Sequence, residues 1–250
     1  LARSQAGAIT FIGSTFLVHR EGYLLTAAHL TADDTDLVVV PTTSGDDFSP
    51  MTFDRVAAMP VTVRERDIDH DVALLYIEQD IAIGVSDDFL GATSAVRPGA
   101  SVMSLGYSFG HQQVHSLLGF NAVVSAKIRS RNETALILYD SAFHEGDRGG
   151  PLVHVADGHI IVIISGRFEP AEIAAQSAQQ SKPLEARETN VSYAVAIEYG
   201  LDLLRTERHR AATTEGCCHC LLDVGQLVVH RNILVVDGKP VAVIGVQVGR

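Results

Sequence analysis

Apolar residues along this chain fall in short runs rich in Val and Ile, each closed off by Gly, Pro, Asp or Ser. That is the pattern of many short antiparallel strands. Strands are predicted over 9–18, 23–27, 37–40, 53–58, 72–77, 101–106, 114–128, 135–139, 152–155, 160–165 and 191–196. No helical crossover separates them, so the fold class is all-β, a barrel or sandwich arrangement rather than a parallel α/β sheet. One helix is predicted late, over about 197–210, where Ile197, Leu201, Leu204 and Tyr199 recur at helical spacing between charged residues.

Residues 169–190 break the β pattern with Ala, Gln, Glu and Pro and read as a surface excursion or loop. From about 211 to 250 a separate unit follows. In it a cysteine cluster precedes apolar runs at 227–229, 233–236 and 241–248, with Asp237-Gly238 as a hairpin turn between the last two.

Composition narrows the functional classes. The length of 250 residues suits one compact body, since single cores stop growing near about 250–300 residues. Thirty acidic against nineteen basic residues give a net charge of −11, which excludes a phosphate-binding footprint and so a nucleic-acid partner. All three cysteines (Cys217, Cys218, Cys220) lie within four positions, so no disulfide closes a long loop. This usage tilts the compartment towards the cytoplasm, while a chain opening at Leu1 leaves periplasmic or secreted locations open. No apolar run reaches the roughly 18 residues of a membrane span, so no span is expected.

Three local patterns carry chemistry. Tyr23-Leu24-Leu25-Thr26-Ala27-Ala28-His29 ends a strand on a histidine, His70-Asp71-Val72-Ala73-Leu74-Leu75 heads a strand with an aspartate, and Gly146-Asp147-Arg148-Gly149-Gly150-Pro151-Leu152 is a glycine-rich turn. An imidazole near its ordinary pKa accepts a hydroxyl proton at neutral pH, and a carboxylate fixes its tautomer. Glycines let backbone N–H groups converge on an oxyanion. In this order, and with the flanking Ile12-Gly13-Ser14-Thr15-Phe16-Leu17-Val18 and Gly158-His159-Ile160-Ile161-Val162-Ile163-Ile164-Ser165-Gly166, the chain resembles the trypsin-like serine peptidases, nearer the bacterial and HtrA-like branch than the digestive one.

The resemblance implies two six-stranded antiparallel β-barrels of chymotrypsin-like type, about 9–83 and 100–196, with the late α-helix and a small C-terminal β extension. It makes 1–210 the peptidase domain. His29 becomes the base, Asp71 the orienting acid, and the backbone at Gly146 and Arg148 the oxyanion donors. Ala142 falls near the base of the substrate pocket, with Ser165, Gly166 and Arg167 along its wall. No cofactor is implied. Asp147 takes the place of an acid that pairs with a new N-terminus in activated relatives, and its partner here stays open.

At the nucleophile position the pattern departs from the family: Arg148 stands where the resemblance implies serine, and a guanidinium has no lone pair free to attack a carbonyl. The leading reading is therefore a catalytically silent trypsin-like fold that binds or regulates a polypeptide. One alternative is an active serine endopeptidase in a parent sequence with Ser at 148. The other is a scaffold presenting the C-terminal unit to a partner. Arg148 itself either joins backbone donors at 146–149 in a small carboxylate site or pairs with Asp71 or Glu145 and plugs the cleft. Metal signals are weak: Asp67 and Asp69 read as solvated, Asp33-Asp34-Thr35-Asp36 as a charged turn, and Cys217 with Cys220 as a lone zinc-knuckle pair that His209 or His230 would have to complete.

Overall fold

The computed structural model describes residues 1–5, 8–33, 35–41, 48, 51–52, 56–78, 88–112, 114, 116–169, 190–214, 233–236 and 239–242. The predicted excursion at 169–190 and the cysteine cluster lie largely or wholly outside them. The first lobe holds β1 (Ala2–Gln5), β2 (Ala8–Phe11), β3 (Phe16–His19), β4 (Tyr23–Thr26), β5 (Leu37–Val39), β6 (Met59–Asp67) and β7 (Val72–Ile77), joined in the order β2-β1-β5-β6-β7-β4-β3. The second holds β8 (Ser101–Gly106), β9 (Leu118–Arg129), β10 (Ala135–Tyr139), β11 (Pro151–His154), β12 (His159–Arg167) and β13 (Ser192–Ala196), closed into a six-stranded barrel. Helix α1 (Ile197–Thr214) follows directly. The last pair, β14 (Ile233–Val236) and β15 (Lys239–Ala242), is antiparallel with Val236 opposite Lys239, and the turn expected at Asp237-Gly238 lies outside the described residues.

The second barrel is as expected. The first lobe is instead a sheet of seven strands among the described residues, and it begins at Ala2 because β1 inserts between β2 and β5. The strand expected at 53–58 lies later, at Met59–Asp67. Its charged second half, Arg64 to Asp67, hides it from a search for apolar runs, although Met59 and Val61 are buried. The helix runs four residues beyond 210, to Thr214.

Several strands are apolar at every position, where alternation would be expected of a half-exposed sheet. The reason is that successive side chains point to opposite faces and here both faces are covered. In β7, Leu75 and Ile77 enter the first lobe's own core with Leu17, Leu24 and Val39. Val72 and Leu74 face the other way, into a core shared with Leu105, Val153, Ile163, and Ile197 and Leu204 of α1. A third core, with Val102, Ile137, Leu152 and Val162, fills the barrel. The shared core joins the lobes, so Leu74→Ala, at a fully buried position, is expected to cost about 2–5 kcal/mol. Denaturant titration showing a cost below about 1 kcal/mol would refute that.

Candidate functional site

His29 sits in a short 3-10 turn (Ala28–Thr31) that begins after β4, reached through Ala27 and Ala28, both buried and small enough to let the turn lie against the protein. Asp71 stands immediately before β7. Its φ of 56° is left-handed, a conformation aspartate tolerates better than most residues because its short carboxylate finds hydrogen bonds nearby. The two meet: His29 Nδ1 is 3.0 Å from each Asp71 carboxylate oxygen, and the His29 backbone N–H donates to Oδ1 at 3.0 Å. The Ala28 N–H donates to the Asp71 carbonyl at 3.2 Å. From β12, the buried Ser165 hydroxyl donates to Asp71 Oδ2 at 2.9 Å.

Burial works to raise the Asp71 carboxyl pKa. The hydrogen bonds and charge of His29, with the Ser165 hydroxyl, outweigh burial and hold it below the usual value. The sign follows: Asp71 adds stability above the ordinary carboxylate range, and that contribution is lost as pH falls through its lowered value.

The loop bearing Asp71 is fixed from three sides. His70 Nδ1 lies 2.6 Å from Asp67 Oδ2, and its ring stacks on Tyr199 of α1 with centroids 3.9 Å apart. Asn132 and Thr134 of the second lobe donate to the Asp69 carbonyl at 2.6 and 3.4 Å. Asp67 is thus an imidazole partner, and Asp69 acts through its backbone. Among the described residues no group of three or more His, Cys, Asp or Glu side chains is arranged to hold a metal. Cys217, Cys220 and His230 lie outside those residues.

The glycine-rich turn faces His29 from the second lobe. A 3-10 turn over Glu145–Asp147 leads into Arg148, whose N–H points back to the Glu145 carbonyl at 3.4 Å. The Asp147 N–H is held by the His144 carbonyl at 3.0 Å and the Gly149 N–H by the Ile164 carbonyl at 2.7 Å. Of the two expected oxyanion donors, Arg148 N–H is therefore turned inward in this structure. Asp147 has two partners: the Ser108 hydroxyl donates to Oδ1 at 2.6 Å, and His144 Nδ1 stands 3.3 Å from Oδ2. Burial raises the Asp147 pKa, with those two groups opposing the rise incompletely.

A carboxyl whose folded pKa is raised makes the fold less stable as pH climbs from the ordinary carboxylate value through the raised one. Asp147→Asn keeps an acceptor for Ser108 and removes this titration. The variant's melting temperature is expected to gain on the parent as pH climbs above the ordinary carboxylate range. An unchanging difference across that climb would show that Asp147 ionisation is not coupled to folding.

His29, Arg148, Ser165, Gly166 and Arg167 line one cleft of about 580 Å3, and Asp71 stands directly behind His29. Two of the expected site residues fall outside this grouping. Gly146 is buried within the turn, and Ala142 is exposed and absent from the lining. Phe143, Glu169 and Tyr193, which sequence reasoning missed, complete the walls with Glu145, already named as a carboxylate beside Arg148. Phe143 had a signal, lying just ahead of the glycine turn. Tyr193 had none, because its strand β13 reaches its place opposite Gly166 of β12 only after the 24 residues that separate the two strands.

A trypsin-like peptidase domain model matches residues 13–163. The "Probable periplasmic serine endoprotease DegP-like" of Ectopseudomonas mendocina is 28% identical over 253 residues, covering 92% of this chain and 48% of its own length. Serine protease HTRA4 of Mus musculus is 32% identical over 160 residues, covering 60% of this chain and 29% of its own. The chain thus spans less than half the length of these curated relatives. In three dimensions it is similar to the HtrA-type protease AlgW with decapeptide, at a TM-score of 0.57 and 23% identity over 79% of this chain and 52% of the other. That likeness establishes the fold, mostly β and chymotrypsin-like.

Proposed function

Because the chain belongs to the trypsin-like peptidase family, we propose that it is a peptidase-fold domain without peptidase activity, in which Arg148 holds the nucleophile position and the cleft binds polypeptide. The observation that carries this reading is the makeup of the cleft. A hydrogen-bonded His29–Asp71–Ser165 chain faces a turn whose central side chain is a guanidinium. Ser165 is no substitute nucleophile, since it is buried and its hydroxyl proton is committed to Asp71. A guanidinium has no lone pair free to attack a carbonyl, so Arg148 is no attacking group.

In the same reading Gly146 and Arg148 N–H are the remnants of an oxyanion hole, Ser165 to Arg167 the wall along which a polypeptide lies, and the chain through the end of α1 the peptidase-fold unit, with the residues after it a separate extension. Among the described residues no helix is long and apolar enough to cross a membrane. A solved structure of the same fold is that of the HtrA-type protease AlgW with decapeptide, which supports a polypeptide as ligand. The intact His29–Asp71–Ser165 geometry also supports the second reading, an active endopeptidase in a sequence with serine at 148. A serine-directed fluorophosphonate tests the first: no residue of this chain is expected to be labelled, and labelling accompanied by turnover would overturn it.

A further inference from the structure

The cleft holds a cation that has no counter-ion among the described residues. Arg148 is half-buried, and its guanidinium lies 5.1 Å over the Phe143 ring. That contact covers one face of the plane and leaves its N–H edges for an acceptor. The carboxylates that could have plugged it are committed elsewhere: Asp71 to His29 and Ser165, Asp147 to Ser108 and His144, and Glu169 to Arg167 at 4.0 Å. Glu145 is exposed at the rim and makes no ion pair with Arg148. The backbone N–H groups at 147, 148 and 149 are bonded internally, so the guanidinium rather than the turn is what an anion would meet.

Resting on the reading of a silent, polypeptide-binding cleft, we propose that Arg148 is a carboxylate anchor: it takes the carboxylate of a polypeptide ligand edge-on, while Phe143 and Tyr193 receive the apolar side chain next to it. A guanidinium fork matches a carboxylate with two parallel hydrogen bonds, and a partly desolvated one gains more from that match than a charge in open water. The cleft volume of about 580 Å3 lies within the range that encloses a ligand of a few residues. His29 presents its Nδ1 to Asp71, which leaves Nε2 as the ring's second polar atom for the same ligand.

The carboxylate can come from a chain terminus or from an acidic side chain, and the test separates these. Fluorescently labelled hexapeptides ending in Val-Phe are titrated by anisotropy as the free acid, as the C-terminal amide, and as the amide with an internal Glu. The acid is expected to bind at least about tenfold more tightly than the amide, with the gap closing as salt is raised. Arg148→Gln, which keeps most of the stem and loses the charge, is expected to erase the gap. Arg148→Lys keeps part of it, and Arg208→Gln, at an exposed site on α1, leaves it whole. If the internal-Glu amide matches the acid, the anchor stands and its ligand is an acidic side chain. Equal binding of all three peptides overturns the anchor while leaving a polypeptide-binding cleft in place. No binding by any of them overturns both, and cleavage of the bound peptide overturns the silent reading alone.

Discussion

With peptide and ester substrates the chain as it stands is expected to show no measurable turnover, and Arg148→Ser to gain a measurable, His29-dependent one. The expected gap is large because loss of the nucleophile from a Ser-His-Asp set costs roughly 10⁶-fold in kcat. The geometry needed for recovery is already assembled: His29 Nδ1 is 3.0 Å from both Asp71 oxygens, and Ser165 steadies the carboxylate from the far side. Recovery is expected to be incomplete. The Arg148 N–H is turned to the Glu145 carbonyl at 3.4 Å, and one missing oxyanion donor costs about 10²–10³-fold. Arg148→Ser should therefore label with fluorophosphonate yet hydrolyse slowly, and adding His29→Ala should abolish both. Turnover by the unaltered chain that survives His29→Ala would point to a contaminant. Turnover that depends on His29 without any substitution would refute the assignment of Arg148.

The second large effect is on stability and lies in the same turn. Gly149 has φ of 78°, and a Cβ there would stand 2.2 Å from Thr26 Oγ1 and 2.3 Å from the Ser14 carbonyl oxygen. At Gly146 a Cβ would stand 1.9 Å from the Tyr107 carbonyl oxygen. These obstacles include backbone atoms inside the fold, which do not swing aside as a flexible side chain would. Gly146→Ala and Gly149→Ala are each expected to destabilise the fold by about 3–5 kcal/mol, from overpacking joined at Gly149 to a strained left-handed alanine. In a domain of this size that is a fall of roughly 10 °C in Tm. A scanning calorimetry shift under about 2 °C would show that the turn yields more easily than its contacts imply. Both glycines are thus required by packing whether or not an oxyanion ever binds here, so the glycine pattern alone is not evidence of catalysis.

Much of the site is legible in the sequence because its chemistry is local. His29 ends a strand, Asp71 opens one and the 146–150 turn is contiguous, so each fragment announces itself along the chain, and their order identifies the family. The strands at Tyr23–Thr26, Val72–Ile77 and Ser101–Gly106 are legible for a similar reason: burial on both faces leaves an apolar run with few gaps. Where burial fails over half a strand, as in the charged end of Met59–Asp67, the run disappears although hydrogen bonding to the neighbouring strand continues.

Tertiary structure alone decided the contacts made across long stretches of chain. That Ser108 reaches Asp147, that Ser165 reaches Asp71, and that β1 widens the first lobe into seven strands all depend on residues whose spacing carries no period. The same holds for Arg148. Its identity rules out nucleophilic attack from sequence alone, since that follows from the guanidinium itself. What the guanidinium touches depended on which carboxylates the fold had already used. Asp71 is taken by His29 and Ser165, and Asp147 by Ser108 as well as its neighbour His144; the bonds from His29, Ser165 and Ser108 span long stretches of chain and close only once the strands have assembled. That leaves Arg148 over the Phe143 ring in the lining of the cleft.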